Sequence, residues 1–236
     1  MNKLVKQLLD LLFPPKCAVC GELTEDKGAL CDECLSKYRE ETGCGTSCAK
    51  TFDGTLRMIA ITTYDPSRAD THVTERMILK LKKVKREALA DVFARDMALA
   101  LLKDIKLSGI KAEDTVLTYI PRSGMNLHKY GFDHGELLCK RISKYSGVES
   151  VTALDRIDGR EQKKMNAEER MANAEGSIVL SHTANVKDRH VYLVDDIITT
   201  GAGAKTAAGH LYKAGCADVT GLFIAETVRR DRSVSY

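Results

Sequence analysis

The chain has 236 residues, of which 44% are hydrophobic and 29% are charged, and its formal net charge is +3. This composition is ordinary for a globular protein, and the mild excess of positive charge permits a nucleic-acid or polyphosphate partner without requiring one. No apolar run is long enough to span a membrane. The opening segment lacks a small-residue cleavage site, so we expect no secretory signal, a cytoplasmic location and reduced thiols.

Two closely spaced cysteine pairs near the N-terminus predict a metal site. Cys17 and Cys20 form one C-x-x-C pair, and Cys31 and Cys34 form a second pair, separated from the first by ten residues. In a cytoplasmic protein this pattern favours four thiolate ligands around one Zn²⁺, on two hairpin-like knuckles, over disulfides or a redox pair. Because four thiolates leave no open coordination position, such a zinc ion would hold the fold and not catalyse.

The size of this module sets the expected domain boundary. A further pair, Cys44 and Cys48, has the less usual C-x-x-x-C spacing and indicates either the remains of a second zinc site or free thiols. So short and polar a segment cannot build its own core, and the metal would replace one. We place the boundary near Thr51, which gives a zinc-ribbon module at 1–50 and a second domain at 51–236.

The second domain begins with a strand and a helical region. Leu56–Tyr64 predicts a strand, and Asp70–Lys103 has apolar residues at helical spacing, consistent with two successive helices. Basic residues gather around the junction of these helices: Arg76, Lys80, Lys82, Lys83, Lys85 and Arg86. We interpret them as a solvated helix face in preference to a polyphosphate or DNA site, because no aromatic residues are interleaved to stack bases.

Strands and helices alternate along the rest of the chain. Thr115–Ile120 predicts a strand, followed by the turn Pro121-Arg122-Ser123-Gly124. Asp133–Tyr145 predicts a helix, Ile178–Leu180 a short strand and Asp218–Ala225 the last strand. This alternation implies an α/β fold with a largely parallel sheet and right-handed crossovers, whose ligands bind at the carboxyl ends of the strands.

The segment 191–203, VYLVDDIITTGAG, carries most of the functional information. Val191–Val194 predicts a strand buried on both faces, with Asp195 and Asp196 at its carboxyl end. A helical run over 204–214 is preceded by a small loop whose residues are Thr199, Thr200, Gly201, Ala202 and Gly203. Backbone N–H groups, hydroxyls and a helix N-terminus form an anion cradle, and the carboxylates can accept hydrogen bonds from vicinal hydroxyls or face hydrated Mg²⁺. A ribose 5-phosphate has this combination of groups.

This segment resembles the phosphoribosyl-pyrophosphate motif of type I phosphoribosyltransferases, with Gly203 where that family usually has Thr or Ser. The resemblance implies that the loop binds the 5-phosphate and that Asp195 and Asp196 bind the ribose hydroxyls. It implies Mg²⁺ together with phosphoribosyl pyrophosphate as the ligand. It also implies that the turn at 121–124 binds pyrophosphate through the Arg122 side chain and the backbone that follows.

The order of the parts resembles the ComF family of competence-related proteins, in which a zinc ribbon precedes a phosphoribosyltransferase-like domain. Ile78–Lys82 is similar to the I-x-x-LK segment of that family. A polar series also matches it: Arg156, Gln162, Arg170 and Asn173. Tyr130, Asp133 and His134 depart from the family pattern, and we interpret His134 as an incidental polar residue.

The resemblance implies a role in DNA uptake and natural transformation, and it does not establish an enzyme activity. One hypothesis is an active or vestigial phosphoribosyltransferase that binds phosphoribosyl pyrophosphate with Mg²⁺; the sequence indicates no acceptor. The other is a non-catalytic adaptor that binds imported single-stranded DNA or a DNA-uptake helicase. In the adaptor, the phosphate cradle and the basic cluster would contact a nucleic-acid backbone or the partner.

Overall fold

A computed structural model describes residues 14–24, 29–43, 50–52, 54–157, 178–182 and 185–228. The helices in these ranges are α1 (Asp32–Thr42), α2 (Val73–Lys83), α3 (Glu87–Ser108), α4 (Gly124–Tyr130), α5 (His134–Ser146) and α6 (Ala202–Lys213). The strands are β1 (Lys50–Phe52), β2 (Leu56–Tyr64), β3 (Thr115–Tyr119), β4 (Glu149–Ser150), β5 (Leu154–Arg156), β6 (Ile178–Leu180), β7 (His190–Ile198) and β8 (Asp218–Thr227). Each helix of the described ranges is too short or too polar to serve as a membrane span.

Six of these strands form one sheet in the order β1-β2-β8-β7-β3-β4. The strands from β2 to β4 in this order run parallel, and β1 pairs antiparallel with β2 at one edge. The predicted α/β class with a largely parallel sheet is confirmed. One detail differs, because Ile178–Leu180 pairs with β5 in a separate antiparallel sheet of two strands.

Both faces of the sheet are covered, which accounts for the unbroken apolar run in β7. Tyr192 and Val194 pack on the face that carries α2, α3 and α5, while Val191 and Leu193 pack against α6 on the other face. All four side chains are buried. A strand covered on both sides has no polar face, so apolar and polar residues do not alternate in it, as the sequence predicted.

The structure also corrects the length of β7. Pairing with β8 continues past the apolar run, with Asp195 opposite Phe223, so both acids belong to the strand and do not follow it. The helical region divides as expected, because α2 ends at Lys83 and α3 begins at Glu87. The acids therefore have the fixed backbone geometry of a strand in the middle of a sheet.

A buried polar contact ties α3 to the centre of the sheet. The hydroxyl of Tyr192 donates to Asp104 at 2.7 Å, and two guanidinium nitrogens of Arg57 lie 2.5 and 2.8 Å from the same carboxylate. Burial and the charge of Asp104 raise the pKa of Tyr192 well above its usual value. Because every charged group in this contact has a partner, the hydrogen bonds and the attraction between opposite charges offset the cost of desolvation.

Candidate functional site

The first cysteine pair lies on a tight knuckle. Lys16 and Leu23 pair as an antiparallel bridge at its base, and Gly21 has a φ of +83°, in the left-handed region. The backbone N–H of Val19 donates to Sγ of Cys17 at 3.4 Å. Although burial opposes ionisation, the backbone N–H groups around this sulfur lower the pKa of Cys17 to about 6, which favours the thiolate form that metals bind.

The second pair lies at the start of a helix, so the expectation of a second hairpin-like knuckle is wrong. Cys31 is the N-cap of α1 and Cys34 lies in its first turn. Burial raises the pKa of the Cys34 thiol well above its usual value, and a bound metal ion would favour the thiolate. The four sulfurs lie within 4.8 Å of one another, and those of Cys20 and Cys31 are 3.6 Å apart. Zn–S bonds of about 2.3 Å give tetrahedral sulfur–sulfur edges of about 3.8 Å, so the cluster fits a structural Zn²⁺. Cys44 and Cys48 lie outside the described residues.

A polar cavity of about 250 Å³ lies at the carboxyl ends of β3 and β7. Its lining consists of Lys82, Ile120, Pro121, Arg122, Ser123, Asn126, His134, Arg156, Asp195 and Asp196. The structure thus brings part of the predicted pyrophosphate turn together with both acids. Gly124 begins α4, and the loop at 199–203 continues from β7; neither belongs to the lining of this cavity.

The two adjacent acids have different surroundings. Each uses one carboxylate oxygen to accept from the next backbone N–H, at 2.8 Å for Asp195 and 2.6 Å for Asp196. The other oxygen of Asp196, whose side chain is 6% exposed, lies 2.6 Å from Nε2 of His134 and 3.2 Å from Nζ of Lys82. Asp195 forms no ion pair within the described part of the chain.

Burial disfavours the charged form of both acids, and their neighbours decide which of them ionises. For Asp195, burial and the adjacent charge of Asp196 raise the pKa to about 7. For Asp196, contacts with His134 and Lys82 outweigh burial and lower the pKa below its usual value. Asp196 in turn outweighs the burial of His134 and raises the pKa of that imidazole. The site therefore contains one firmly ionised carboxylate and one that titrates near neutrality.

Arg122 is fixed at the mouth of the cavity by a carbonyl and an aromatic ring. Its guanidinium donates to the carbonyl of Lys82 at 2.7 Å and lies 4.3 Å from the centre of the Tyr130 ring. Its backbone N–H donates to Asp133 at 2.7 Å, and the second oxygen of Asp133 caps α5. The departure at Tyr130 thus supplies a cation–π contact for Arg122.

The loop at 199–203 connects β7 to α6 and depends on one glycine. Gly201 is the N-cap of α6 and has a φ of +75°. A Cβ at this position would lie 2.5 Å from the Phe52 ring, so the ring of β1 leaves room for glycine alone. The Thr200 hydroxyl is exposed and accepts from the N–H of Ala202 at 3.4 Å. The loop is therefore a turn that leads directly to the N-terminus of α6.

Sequence reasoning missed two side chains that contact Asp196. The interpretation of the basic cluster as solvated is wrong for Lys82, whose amine lies against this buried carboxylate. The interpretation of His134 as incidental is also wrong, since the side chain is 12% exposed and contacts the same oxygen. The sequence did contain a signal for the position of the His134 backbone. Asp133 and Glu136 have the spacing of a capping box, which predicts a helix that starts at His134.

Comparison with known proteins relates most of the chain to one group of relatives. The model of a family described as a double zinc ribbon domain matches residues 8–61. DNA utilization protein YhgH of Shigella flexneri is 26% identical over 208 residues, with 86% of each chain covered, and YhgH of Escherichia coli (strain K12) gives the same values. The chain is homologous to the YhgH proteins over most of its length. It joins a zinc ribbon with four cysteines to an α/β domain with a largely parallel sheet.

Solved structures similar to this chain have low sequence identity to it. The allosteric regulatory enzyme of purine biosynthesis is 16% identical with a TM-score of 0.43, over 62% of this chain and 30% of that one. The hypoxanthine phosphoribosyl transferase of Trypanosoma cruzi is 14% identical with a TM-score of 0.38, over 65% of this chain and 74% of that one. The chain thus spans less than a third of the first of these enzymes.

The four-cysteine cluster leads to a stoichiometric expectation. We expect the double variant Cys20→Ser/Cys31→Ser to lose one zinc per chain relative to the wild type and to unfold at a lower temperature, because the module depends on the metal. Elemental analysis of protein purified without chelator measures the first effect and thermal melting the second. Cys139→Ala removes a buried thiol outside the cluster and should leave the zinc content unchanged. Equal zinc content in the wild type and the double variant would contradict the site.

Two glycines of the loop and helix should respond in opposite directions to alanine. Gly201→Ala should lower the free energy of unfolding by at least about 1–2 kcal/mol, since a left-handed φ costs other residues that much and the new Cβ meets Phe52. Gly203 lies within α6 with open space at its Cβ position. Gly203→Ala should therefore raise stability by about 0.5–1 kcal/mol. Urea unfolding followed by circular dichroism measures both, and a shift of the same sign would count against this geometry.

Proposed function

We propose that the cleft at the carboxyl ends of β3 and β7 binds phosphoribosyl pyrophosphate, or a related ribose 5-phosphate ligand, together with Mg²⁺. The observation that carries this proposal is the convergence of two carboxylates and three cationic side chains in one cavity of about 250 Å³. That convergence lies beside a glycine turn that opens a helix. We assign this role to the domain at 51–236 and a structural role to the zinc ribbon at 1–50.

The charges of the cleft match the two ends of such a ligand. Lys82, Arg122 and Arg156 can donate to phosphoryl oxygens, and Asp195 and Asp196 can accept from ribose hydroxyls. Nε of Arg122 and Nε of Arg156, both shielded from solvent, have no hydrogen-bond partner in the described ranges. Buried donors of this kind are usually satisfied by a bound anion or water, which supports a phosphate ligand.

The loop at 199–203 supplies the remaining contact of the proposal, with the 5-phosphate. Its two threonines are exposed, and they directly precede the first turn of α6, whose N–H groups have no acceptor within the helix. A helix N-terminus with such donors favours a phosphate group. Gly203 lies in the first turn of α6 and has no side chain, so it can contribute only its backbone N–H. The hydroxyl that the family usually has at this position is missing.

Carboxylate oxygens are the ligands that Mg²⁺ prefers, and Asp195 fits this role better than Asp196 because no cation of the described residues pairs with it. When bound, Mg²⁺ would neutralise the charge of the pyrophosphate. The residues of the chain would hold the ribose and the leaving phosphates in place, through positioning and electrostatics. The acceptor site is not part of the proposal, and neither is turnover.

Ligand binding should depend on the acid pair. We expect calorimetric titration of the wild type with phosphoribosyl pyrophosphate and Mg²⁺ to show saturable binding. Asp195→Asn/Asp196→Asn should weaken this binding by at least about 10-fold, because the hydrogen bonds from the ribose hydroxyls to charged carboxylates are lost. The matched control is Glu113→Gln/Asp114→Asn. It neutralises two exposed acids just before β3, at the end of the strand opposite to the cleft. Absence of heat with the wild type at millimolar ligand would refute the proposal.

A second candidate function is supported by the relatives, which are named DNA utilization proteins, and by an exposed lysine group. Lys80, Lys83 and Lys85 are exposed at the end of α2, next to the cleft. In this alternative the chain is a non-catalytic adaptor in DNA uptake and transformation, and it binds single-stranded DNA or a DNA-uptake helicase. Phosphate backbones of nucleic acids bind such lysines with a strong dependence on salt.

The adaptor alternative predicts salt-dependent DNA binding through these lysines. We expect log Kd for a single-stranded oligonucleotide to rise steeply with log salt, and Lys80→Gln/Lys83→Gln/Lys85→Gln to reduce that slope by about 2, or 0.7 per phosphate contact. The matched control neutralises three exposed lysines near the amino ends of the strands, away from the cleft: Lys106, Lys111 and Lys213. Fluorescence anisotropy measures both. A flat dependence on salt, or equal effects of the two triple variants, would rule this interface out.

A further inference from the structure

The N-terminus of α2 is capped by a residue of the zinc-ribbon helix. Glu41, near the end of α1, accepts from the backbone N–H of Val73 at 2.9 Å and of Thr74 at 2.7 Å, and from the Thr74 hydroxyl at 2.6 Å. The local N-cap residue, His72, makes no capping bond with its side chain. A carboxylate at this position satisfies donors that the helix leaves unpaired and complements its dipole.

Two arginines hold the metal-binding knuckle against the same region. Arg76 donates from its guanidinium to the carbonyl of Val19 at 2.7 Å, and Arg86, which follows α2, donates to the carbonyl of Lys16. Both carbonyls belong to the knuckle that presents Cys17. These bonds depend on the backbone conformation of the knuckle, which in a zinc ribbon depends on the metal.

The opposite end of α2 reaches the cleft. Lys82 places its amine 3.2 Å from Asp196, and its carbonyl accepts from Arg122 at 2.7 Å. Between the two ends, Met77, Ile78 and Leu81 are fully buried in the core, so the helix is packed as a rigid element. Its 11 residues span about 16 Å. One helix thus contacts the zinc ribbon at its start and two cleft residues at its end.

We propose that Glu41 is a positioning residue through which metal loading of the zinc ribbon sets the affinity of the cleft for a sugar phosphate. Zinc holds the knuckle and α1, these fix the start of α2, and α2 fixes Lys82 and Arg122. The proposal rests on the sugar-phosphate binding proposed above. Because coupling between two sites is reciprocal, the ligand strengthens zinc binding by the factor by which zinc strengthens ligand binding.

The test compares two variants of α1 that differ in the element they contact. Glu41→Gln removes the charge that caps α2. Tyr38→Phe removes a hydroxyl that donates to Asp96 of α3 at 2.6 Å and leaves the α2 cap intact. We expect both variants to retain full zinc, and Glu41→Gln to weaken phosphoribosyl pyrophosphate binding on the order of 10-fold, while Tyr38→Phe stays within about 2-fold of the wild type.

Two further measurements make the result specific. In the wild type, phosphoribosyl pyrophosphate with Mg²⁺ should raise the zinc affinity, which is measured by competition with a metal indicator. Removal of zinc with a chelator should weaken ligand binding by the same factor. Glu41→Gln should reduce this factor toward one. Hydrogen exchange of the full chain should show faster exchange at the amides of Val73 and Thr74 in Glu41→Gln and after zinc removal, and no change there in Tyr38→Phe.

The outcomes separate the two proposals. If the wild type binds no sugar phosphate but zinc removal and Glu41→Gln both loosen α2 in hydrogen exchange, the proposed ligand is wrong and the link through α2 stands. If the wild type binds and Glu41→Gln binds equally well, the positioning role is overturned. Equal weakening in Glu41→Gln and Tyr38→Phe also overturns it, because the effect would then be general destabilisation of the module.

Discussion

The carboxylate of Asp196 holds together the three elements that form the cleft. It belongs to β7, and its partners Lys82 and His134 come from α2 and α5. Since the carboxylate is nearly buried, it requires these partners, and removal of one member of such a buried pair typically costs about 3–5 kcal/mol. The walls of the cleft are therefore fixed by a charge that a ligand would also contact. In the proposed complex, a ribose would share this carboxylate with Lys82 and His134 or displace one of them.

The zinc ribbon contributes to the same core that supports the sheet. Tyr38 of α1 is buried and meets Phe93 of α3 edge-to-face, with ring centres 5.7 Å apart. Cys17 and Val19 of the knuckle also pack in the cluster that contains α2 and α3. The metal replaces the core that so small a module lacks, while its apolar side chains extend the core of the larger domain. The ribbon is thus part of the folded unit on which the cleft depends.

The sequence correctly predicted those parts of the fold that depend on residues adjacent in the chain. A run of four apolar residues ending in two acids, followed by a glycine loop and a helix, specifies β7, the turn at Gly201 and α6 from neighbouring residues alone. The position of Lys82 is different, because it follows Leu81 on a helix whose orientation is set by tertiary packing. Nothing in the local pattern tells that this lysine faces Asp196, whereas Lys80 and Lys83 face solvent. The helix start at Cys31 was missed for a related reason, since C-x-x-C spacing fits a knuckle and a helix turn equally well.

The pKa shifts describe how the charge of the cleft changes with pH. The lowered pKa of Asp196 contributes stability that is present above its usual pKa and is lost as the pH falls through the lowered value. The raised pKa of His134 contributes stability that is lost as the pH rises through the raised value. The pKa of Asp195, raised to about 7, has the opposite effect to the lowered pKa of Asp196: it costs stability as the pH rises from the usual pKa of an aspartate to about 7. Ionisation of Asp195 near neutrality places a second negative charge beside Asp196, so a cation bound to Asp195 would stabilise the ionised pair.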